Sequence, residues 1–574
     1  MGGGKISLPM QRTVRLRAWQ KAAIDKLDAH EHPDFLAVAT PGAGKTTFAL
    51  MAALRSMRAE RGQRLIVVAP TAHLKTQWAD AASRFGLQLD PFWAASNGAL
   101  PGDMHGIVTT YQQVATSANA LAKLCPGAFI ILDEIHHAGD DRAWGDSVRK
   151  AFTPAKRRLA LSGTPFRSDT RAIPFVRYTI EEAVADFEYG FGDALRDGGV
   201  VRPAYFPRIN GFMEWTAPDG TFNAASFDDA LDRTATSQRL RTALSADGEW
   251  LPTVLSQAHQ RLLLLREKVP NAGGLVIATD QDHARAIAEV MRTRLRVTPT
   301  LALSDDPNAS DRIAHFASGT QPWIVAVRMV SEGVDIPRLT IGVFATTTTT
   351  ELFFRQAVGR LVRWNRGQRG QKAYLFVPDD VRLRTYAYQI AESRRHSLRK
   401  RAEDAEAQFA REEDPLKDPL PAEAAEEQLS LFAALSSVVT DVSRIHDVFD
   451  SSYEDDVDAG LDENGDPVHE AAPGPGQSDG LTIDLEALIL PLSGSGPTGN
   501  RGVGPATYQQ KEALRIRNAD LARELVQLTG LTHREINAKL NRTTLIAKIN
   551  DATLPQLQAR IRAAETWLKQ LTRR

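Results

Sequence analysis

The stretch ATPGAGKTT, residues 39–47, sets two glycines, a lysine and two threonines after the apolar run FLAVAT and ahead of a helical pattern. That order suits a phosphate-binding loop. Thr40, Pro41, Gly42, Ala43 and Gly44 make the turn, and the glycines let backbone N–H groups approach phosphate oxygens. Lys45 then reaches the β and γ oxygens, while Thr46, followed by Thr47, offers a hydroxyl to magnesium. Ala39 stands where the strict pattern has its first glycine, a departure that touches only the tightness of the turn.

The run IILDEIHH supplies a second half to such a site. An aliphatic strand ending in two carboxylates puts Asp133 beside the magnesium and Glu134 where it can orient and deprotonate an attacking water. Taken alone, two adjacent acids also fit a solvated loop. His136 and His137 are not a convincing metal pair, because neighbouring side chains diverge and no cysteine or third ligand is nearby in sequence. The expected metal ligands are therefore Thr46 and Asp133.

These residues need a scaffold that brings loops together at one edge. From residue 35 to about 166, the apolar runs FLAVAT, RLIVVAP, GIVTTY, FIILDE and RRLALSGT alternate with helical patterns. A second series, GLVIATD, WIVAVRM, TIGVFATT and KAYLFVP, spans roughly 274–378. Strands buried on both faces read this way, and the alternation implies parallel α/β sheets with ligands at the carboxyl ends of the strands. With 574 residues, 43% of them hydrophobic, and a formal charge of −1, the chain has ample core for several domains and is neither fibrous nor wholly disordered.

The expected organisation is α/β over 1–205 and 206–395, the second unit having a mostly helical lead-in over about 206–270. An acidic, partly disordered linker over 396–502 and a basic helical domain over 503–574 complete it. Residues 505–574 hold 13 Lys and Arg against 6 Asp and Glu. The lone Cys125 reads as buried packing before a strand. No run reaches the ~18 apolar residues of a membrane span, so no membrane partner is expected and the expected location is the cytoplasm, at the nucleoid.

Taken in order, the motifs resemble those of superfamily 2 helicases of the DExH type, found in restriction-enzyme motor subunits (type III R-subunit-like) and related DNA repair helicases. The resemblance covers about 12–380: LRAWQKAAI, ATPGAGKTT, VVAPTAHLKTQW, IVTTYQQV, LDEIHH, LSGTPFR, LVIATD, MVSEGVDIP and RQAVGRLVR. It implies two tandem RecA-like parallel-sheet domains with ATP and Mg2+ in the cleft between them. By the same resemblance Arg17 and Gln20 read adenine, Gly333 and Asp335 complete the nucleotide pocket, and Gln356, Arg360 and Arg363 reach the nucleotide from the far lobe, the arginines as fingers. His136, Ser162 and Thr164 would couple nucleotide to the strand-binding face. Thr71, Thr109 and Thr110 would contact phosphates of a tracked strand. Alternatives stay open residue by residue: RQAVGRLVR also fits a basic solvated helix, LSGTP a turn after a strand, and the threonines β-branched ends of strands. The run Thr346 to Thr350 fits an edge strand or a lining of the nucleic-acid groove, and the strand is the favoured reading.

The resemblance points to DNA rather than RNA as partner, a single strand or a duplex with a single-stranded region. In the tail, LTGLTHREINAKLNR, with Leu528, Leu531, Ile536 and Leu540 and the preceding Leu525 as apolar residues and Thr532 as a cap, fits a helix-turn-helix or a plain bundle. Within the linker, QLSLF is similar to the pentapeptide by which bacterial proteins dock on the sliding clamp; Leu429, Leu431 and Phe432 would fill an apolar pocket and Gln428 bond its rim. An amphipathic helix packing on the motor is the other reading of that segment. The expected function is ATP-dependent DNA unwinding or translocation in genome maintenance, with the clamp as a candidate partner. The alternatives are the motor of a restriction or anti-phage system with a nuclease partner, and an ATP-gated DNA-binding scaffold.

Overall fold

A computed structural model describes residues 13–96, 100–139, 142–163, 172–179, 182–303, 305–306, 308–327, 336–365, 368, 370–413, 482–485 and 505–572. The first lobe is built on a seven-stranded sheet in the spatial order Phe187–Tyr189, Asp34–Ala39, Arg157–Ser162, Phe129–Leu132, Leu65–Ala69, Gly106–Thr110, Leu89–Asp90, with every pairing parallel. Its central strands are buried along nearly their whole length. Unbroken aliphatic runs are what such two-sided burial requires, because helices cover both faces.

The second lobe repeats the plan. Its sheet runs Ala204–Tyr205, Ala373–Pro378, Leu339–Ala345, Gly273–Ala278, Trp323–Ala326, Thr300–Ala302, and Arg208–Ile209 also pairs with Ala373–Pro378. Ala204 and Tyr205 therefore belong to the second sheet, and the boundary expected after residue 205 lies before them. The lead-in departs from its helical reading as well: Phe212–Thr216 and Phe222–Ser226 form an antiparallel hairpin before the helices Arg233–Ala243 and Trp250–Lys268 begin. The alternating burial of Phe212–Thr216 is the period-two signal that the mixed composition concealed.

Thr346 to Thr350 do not extend an edge strand. The strand stops at Ala345, the Thr346 hydroxyl accepts from Thr348 N at 3.3 Å, and Thr350 already precedes the first residue of the helix Glu351–Leu361. A threonine hydroxyl bonded to backbone nearby competes with the sheet ladder, and here it wins. The 396–502 boundary shifts too: helix Val381–Glu413 runs on into it, and Thr482–Asp484 pairs antiparallel with Thr13–Arg15. QLSLF lies outside the described residues. Cys125 is buried at the end of helix Tyr111–Leu124, just before Phe129–Leu132.

Three helices, Thr507–Thr529, His533–Thr543 and Leu554–Thr572, form the basic C-terminal unit. Gly530 ends the first in the left-handed region at φ 68°, and Thr532 caps the second by accepting from Glu535 N. Leu525, Ile536 and Leu540 enter the core, whereas Leu528 and Leu531 are exposed. This unit docks on the first lobe: Lys511 Nζ is 2.9 Å from Asp103 Oδ1, Leu554 N donates to Asp103 Oδ2 at 2.7 Å, and the Tyr508 hydroxyl donates to Asp80 Oδ1 at 2.7 Å.

Candidate nucleotide site

Residues 40–44 turn between Asp34–Ala39 and the helix Lys45–Ala59, with Gly42 at φ 84° and Gly44 at φ 94°. Side chains with a Cβ rarely adopt that region, so the two glycines are conformational requirements of the loop. Arg17 and Gln20, expected to read adenine, bond the loop itself: Arg17 donates to Ala43 O at 2.7 Å, and Gln20 Nε2 to Gly44 O at 2.9 Å. Trp19 Nε1 adds a third bond to Ala43 O at 3.2 Å. The helix Ala18–Asp28 thus braces the loop from outside.

Lys45 Nζ lies 2.6 Å from Glu134 Oε1, and Gly163 N donates to Glu134 Oε2 at 3.0 Å. Phosphate loop, strand-end carboxylate and the turn after Arg157–Ser162 therefore converge, as parallel strands sharing one carboxyl edge dictate. Glu134 has φ 46°, a conformation uncommon for a side chain of its size. Burial would raise its pKa, but Lys45 and His136 hold it below the usual carboxylate range. Burial and the Glu134 charge push Asp133 the opposite way, upward.

Asp133 is gripped by two residues that the sequence left without a role. Trp78 Nε1 donates to its Oδ2 at 2.8 Å, and the Tyr111 hydroxyl to its main-chain O at 2.9 Å. A buried indole needs an acceptor, and that requirement was the available signal for Trp78. Thr46 and Asp133 present the hard oxygen donors that magnesium takes, and the glycine-lined loop beside Lys45 suits a triphosphate, so the residues fit Mg-ATP.

The second lobe closes onto this edge through helix Glu351–Leu361. A Cβ on Gly359 would fall 2.5 Å from Pro41 Cγ, so only glycine allows the helix so close to the phosphate loop. Gln356 Nε2 lies 3.3 Å from His136 Nε2, whose ring also faces Glu134 with Nδ1 at 3.7 Å from Oε2. Arg360 sits half-buried on the same helix, and a Cβ on Gly42 would lie 3.7 Å from Arg363 Cγ.

Arg202, which sequence reasoning missed, holds Arg363 in turn. It is 1% exposed, its Nε donates to Arg363 O at 2.7 Å, and it donates to Pro337 O at 2.6 Å, while its own N–H bonds Val362 O.

The remaining expected residues divide. Ser162 is fully buried at the end of its strand, and the N–H of the following Gly163 donates to Glu134. Thr71 begins the helix Ala72–Arg84, and the Thr110 hydroxyl accepts from Gln113 N. Thr109 is 0% exposed inside its strand, so its side chain is not available to a bound strand. Thr164, Gly333, Asp335, Gln428, Leu429, Leu431 and Phe432 lie outside the described residues. Among the described residues no cluster of three or more His, Cys, Asp or Glu side chains forms a metal cage, and no helix is long and apolar enough to cross a membrane.

Residues 13–167 match the family model described as Type III restriction enzyme, res subunit. An uncharacterised protein of Mycobacterium tuberculosis is 45% identical over 406 residues, 69% of this chain and 67% of its own. The DNA 3'-5' translocase XPB2 of Sulfurisphaera tokodaii is 26% identical over 367 residues, 61% of this chain and 79% of its own. Among solved structures, the ATP-dependent Type ISP restriction-modification enzyme LlaBIII bound to DNA aligns with TM-score 0.43 and 16% identity, over 68% of this chain and 30% of that one.

Proposed function

Because the chain belongs to the superfamily 2 helicases related to the type III restriction res subunit, we propose that it is an ATP-driven DNA motor. The observation that carries this reading is the composite site: Gly359 and Gln356 of one lobe seat against Pro41 and His136 of the other. Hydrolysis confined to such a seam responds to the distance between lobes, and a cycle of closing and opening is what stepping along a polyanion needs.

In this reading Lys45 draws the terminal phosphate into place. Glu134, kept ionised by Lys45 and steered by the Gly163 N–H, orients the attacking water and accepts its proton. Magnesium, held by Thr46 and Asp133, would neutralise charge between the phosphates. Arg360 and Arg363 stabilise charge developing on the transferred phosphoryl group, and Arg202 fixes the main chain from which Arg363 projects.

DNA as the polymer is supported by the translocase relative and by the excess of basic residues in 505–574. Recruitment to a sliding clamp through Gln428, Leu429, Leu431 and Phe432, and a role in repair or replication-linked maintenance, complete the proposal. The test is ATP hydrolysis with single-stranded DNA, duplex, fork and RNA, together with strand displacement on the fork. Turnover indifferent to every polynucleotide sinks the motor reading, and stimulation by RNA alone sinks the DNA assignment. A second reading, the motor of a restriction or defence assembly, is favoured by the family match over 13–167 and expects a nuclease to co-purify with the chain.

A further inference from the structure

Asp133 is held from outside the phosphate loop by two aromatic residues on two different helices. Trp78, 3% exposed, gives its indole N–H to Oδ2 at 2.8 Å; Tyr111, 0% exposed, gives its hydroxyl to the main-chain O at 2.9 Å. Trp78 rides on helix Ala72–Arg84, which begins just after Thr71, and Tyr111 opens helix Tyr111–Leu124, which Thr110 caps. Thr71 and Thr110 are the positions at which a tracked strand is expected to touch this lobe. A buried indole will take any acceptor within reach, so Trp78 alone would say little. Two donors from separate helices converging on one residue, one fixing the carboxylate and the other the backbone beneath it, say more.

A carboxylate offers about four acceptor directions and turns easily about its last bond. An indole N–H pinned in the core selects one orientation and leaves the second oxygen to face a cation. Partners of this kind orient a ligand and are worth roughly 10–100-fold in metal affinity. Helix Ala72–Arg84 is also loaded from behind, since Tyr508 of the C-terminal unit donates to Asp80 at 2.7 Å.

We propose that Trp78 and Tyr111 are positioning residues for the metal-holding aspartate, through which a strand engaging the starts of their helices tightens the metal site. The proposal rests on the reading of Asp133 as the ligand of nucleotide-bound magnesium and of Thr71 and Thr110 as contacts of the tracked strand. It makes the two helices the mechanical route from polymer to chemistry on this lobe.

The experiment uses the full chain, with Mn2+ as the metal probe, followed by electron paramagnetic resonance in the presence of a non-hydrolysable ATP analogue, with and without single-stranded DNA. Trp78→Phe keeps a packed ring and deletes the donor; Tyr111→Phe deletes the hydroxyl. Each variant is expected to bind Mn2+ about tenfold more weakly, to lose the tightening that DNA produces in the unmodified chain, and to bind nucleotide in EDTA as before. Hydrolysis should recover at raised Mg2+. Unchanged Mn2+ affinity in both variants overturns the positioning role, and Mn2+ affinity of the unmodified chain that ignores DNA overturns the coupling. Asp133→Asn separates the two levels: if it too leaves Mn2+ binding intact, the metal reading fails, and if it alone weakens binding, only the present proposal does. Should Trp78→Phe lose nucleotide binding in EDTA, the pocket has collapsed and Tyr111→Phe decides by the same criteria.

Discussion

Gln356 and His136, 220 residues apart, meet with their Nε2 atoms 3.3 Å from one another and carry the second lobe to the edge of the first. His136 turns its other nitrogen toward Glu134, which is bonded to Lys45, so one amide in the far lobe ends a chain that begins at the phosphate loop. Gln356→Ala and His136→Ala are each expected to lower DNA-stimulated hydrolysis while leaving ATP binding in place. Their effects should not add: a double-mutant cycle on the stimulated rate should return a coupling of about 0.5–3 kcal/mol. Strict additivity counts against the contact.

Lys45→Ala is expected to abolish hydrolysis and leave DNA binding largely intact. Arg360→Ala and Arg363→Ala should each lower turnover by roughly 10³-fold or more, the size of effect associated with an arginine finger. Single-turnover measurements are the check, and a variant that only raises KM removes that residue from the chemical step.

Arg202→Met should act through Arg363. The substitution leaves the carbonyls of Arg363 and Pro337 without their buried donor, at about 1–3 kcal/mol. Urea unfolding should therefore shift, and turnover should fall toward that of Arg363→Ala. Combining Arg202→Met with Arg363→Ala should cost little further activity.

Acidification should separate the two strand-end carboxylates. Burial and Glu134 raise the Asp133 pKa, while Lys45 and His136 hold Glu134 down despite its burial. Asp133 therefore takes up its proton first as pH falls, and metal affinity should decline above the ordinary aspartate range while the Lys45 to Glu134 pair persists. For the metal-free fold the signs are opposite. Between the ordinary aspartate range and its raised value, the native Asp133 binds more protons than the unfolded one, so its contribution to stability falls as pH rises. The contribution of Glu134 is present above its unfolded value and is lost as pH drops through its lowered one. Melting temperatures across pH, with and without Mg2+, should show the Asp133 slope disappear on metal addition and in Asp133→Asn.

Asp103→Ala should release the C-terminal unit. It strips the carboxylate from Lys511, which is 0% exposed, and takes the acceptor from Leu554 N. An uncompensated buried charge costs about 3–5 kcal/mol. Hydrogen exchange should rise in 507–529 and 554–572, with the rest of the first lobe unchanged. If the docked unit also binds DNA, truncation before residue 503 should weaken affinity and flatten its salt dependence.

Much of this protein is written locally. Two-sided burial leaves unbroken aliphatic runs, so the strands Asp34–Ala39, Leu65–Ala69, Gly106–Thr110, Phe129–Leu132 and Arg157–Ser162 were legible, and with them the loops that follow. The left-handed turn at Gly42 and Gly44 and the meeting of Lys45 with Glu134 were legible because a loop after one strand and a carboxylate at the end of another share one sheet edge, and Thr532 because a cap is a local device. Other features depend on contacts across long stretches of chain, and only the tertiary structure decided them. Arg202 reads as any arginine until it lies under Arg363, and Trp78 as any core aromatic until its indole meets Asp133. The Thr346 to Thr350 run has strand composition but the Thr346 hydroxyl closes a turn, and Thr109 was offered to a ligand that its burial keeps away. Residue type and spacing fix what a side chain can do; which partner it meets is set by the register of sheets and the closure of lobes.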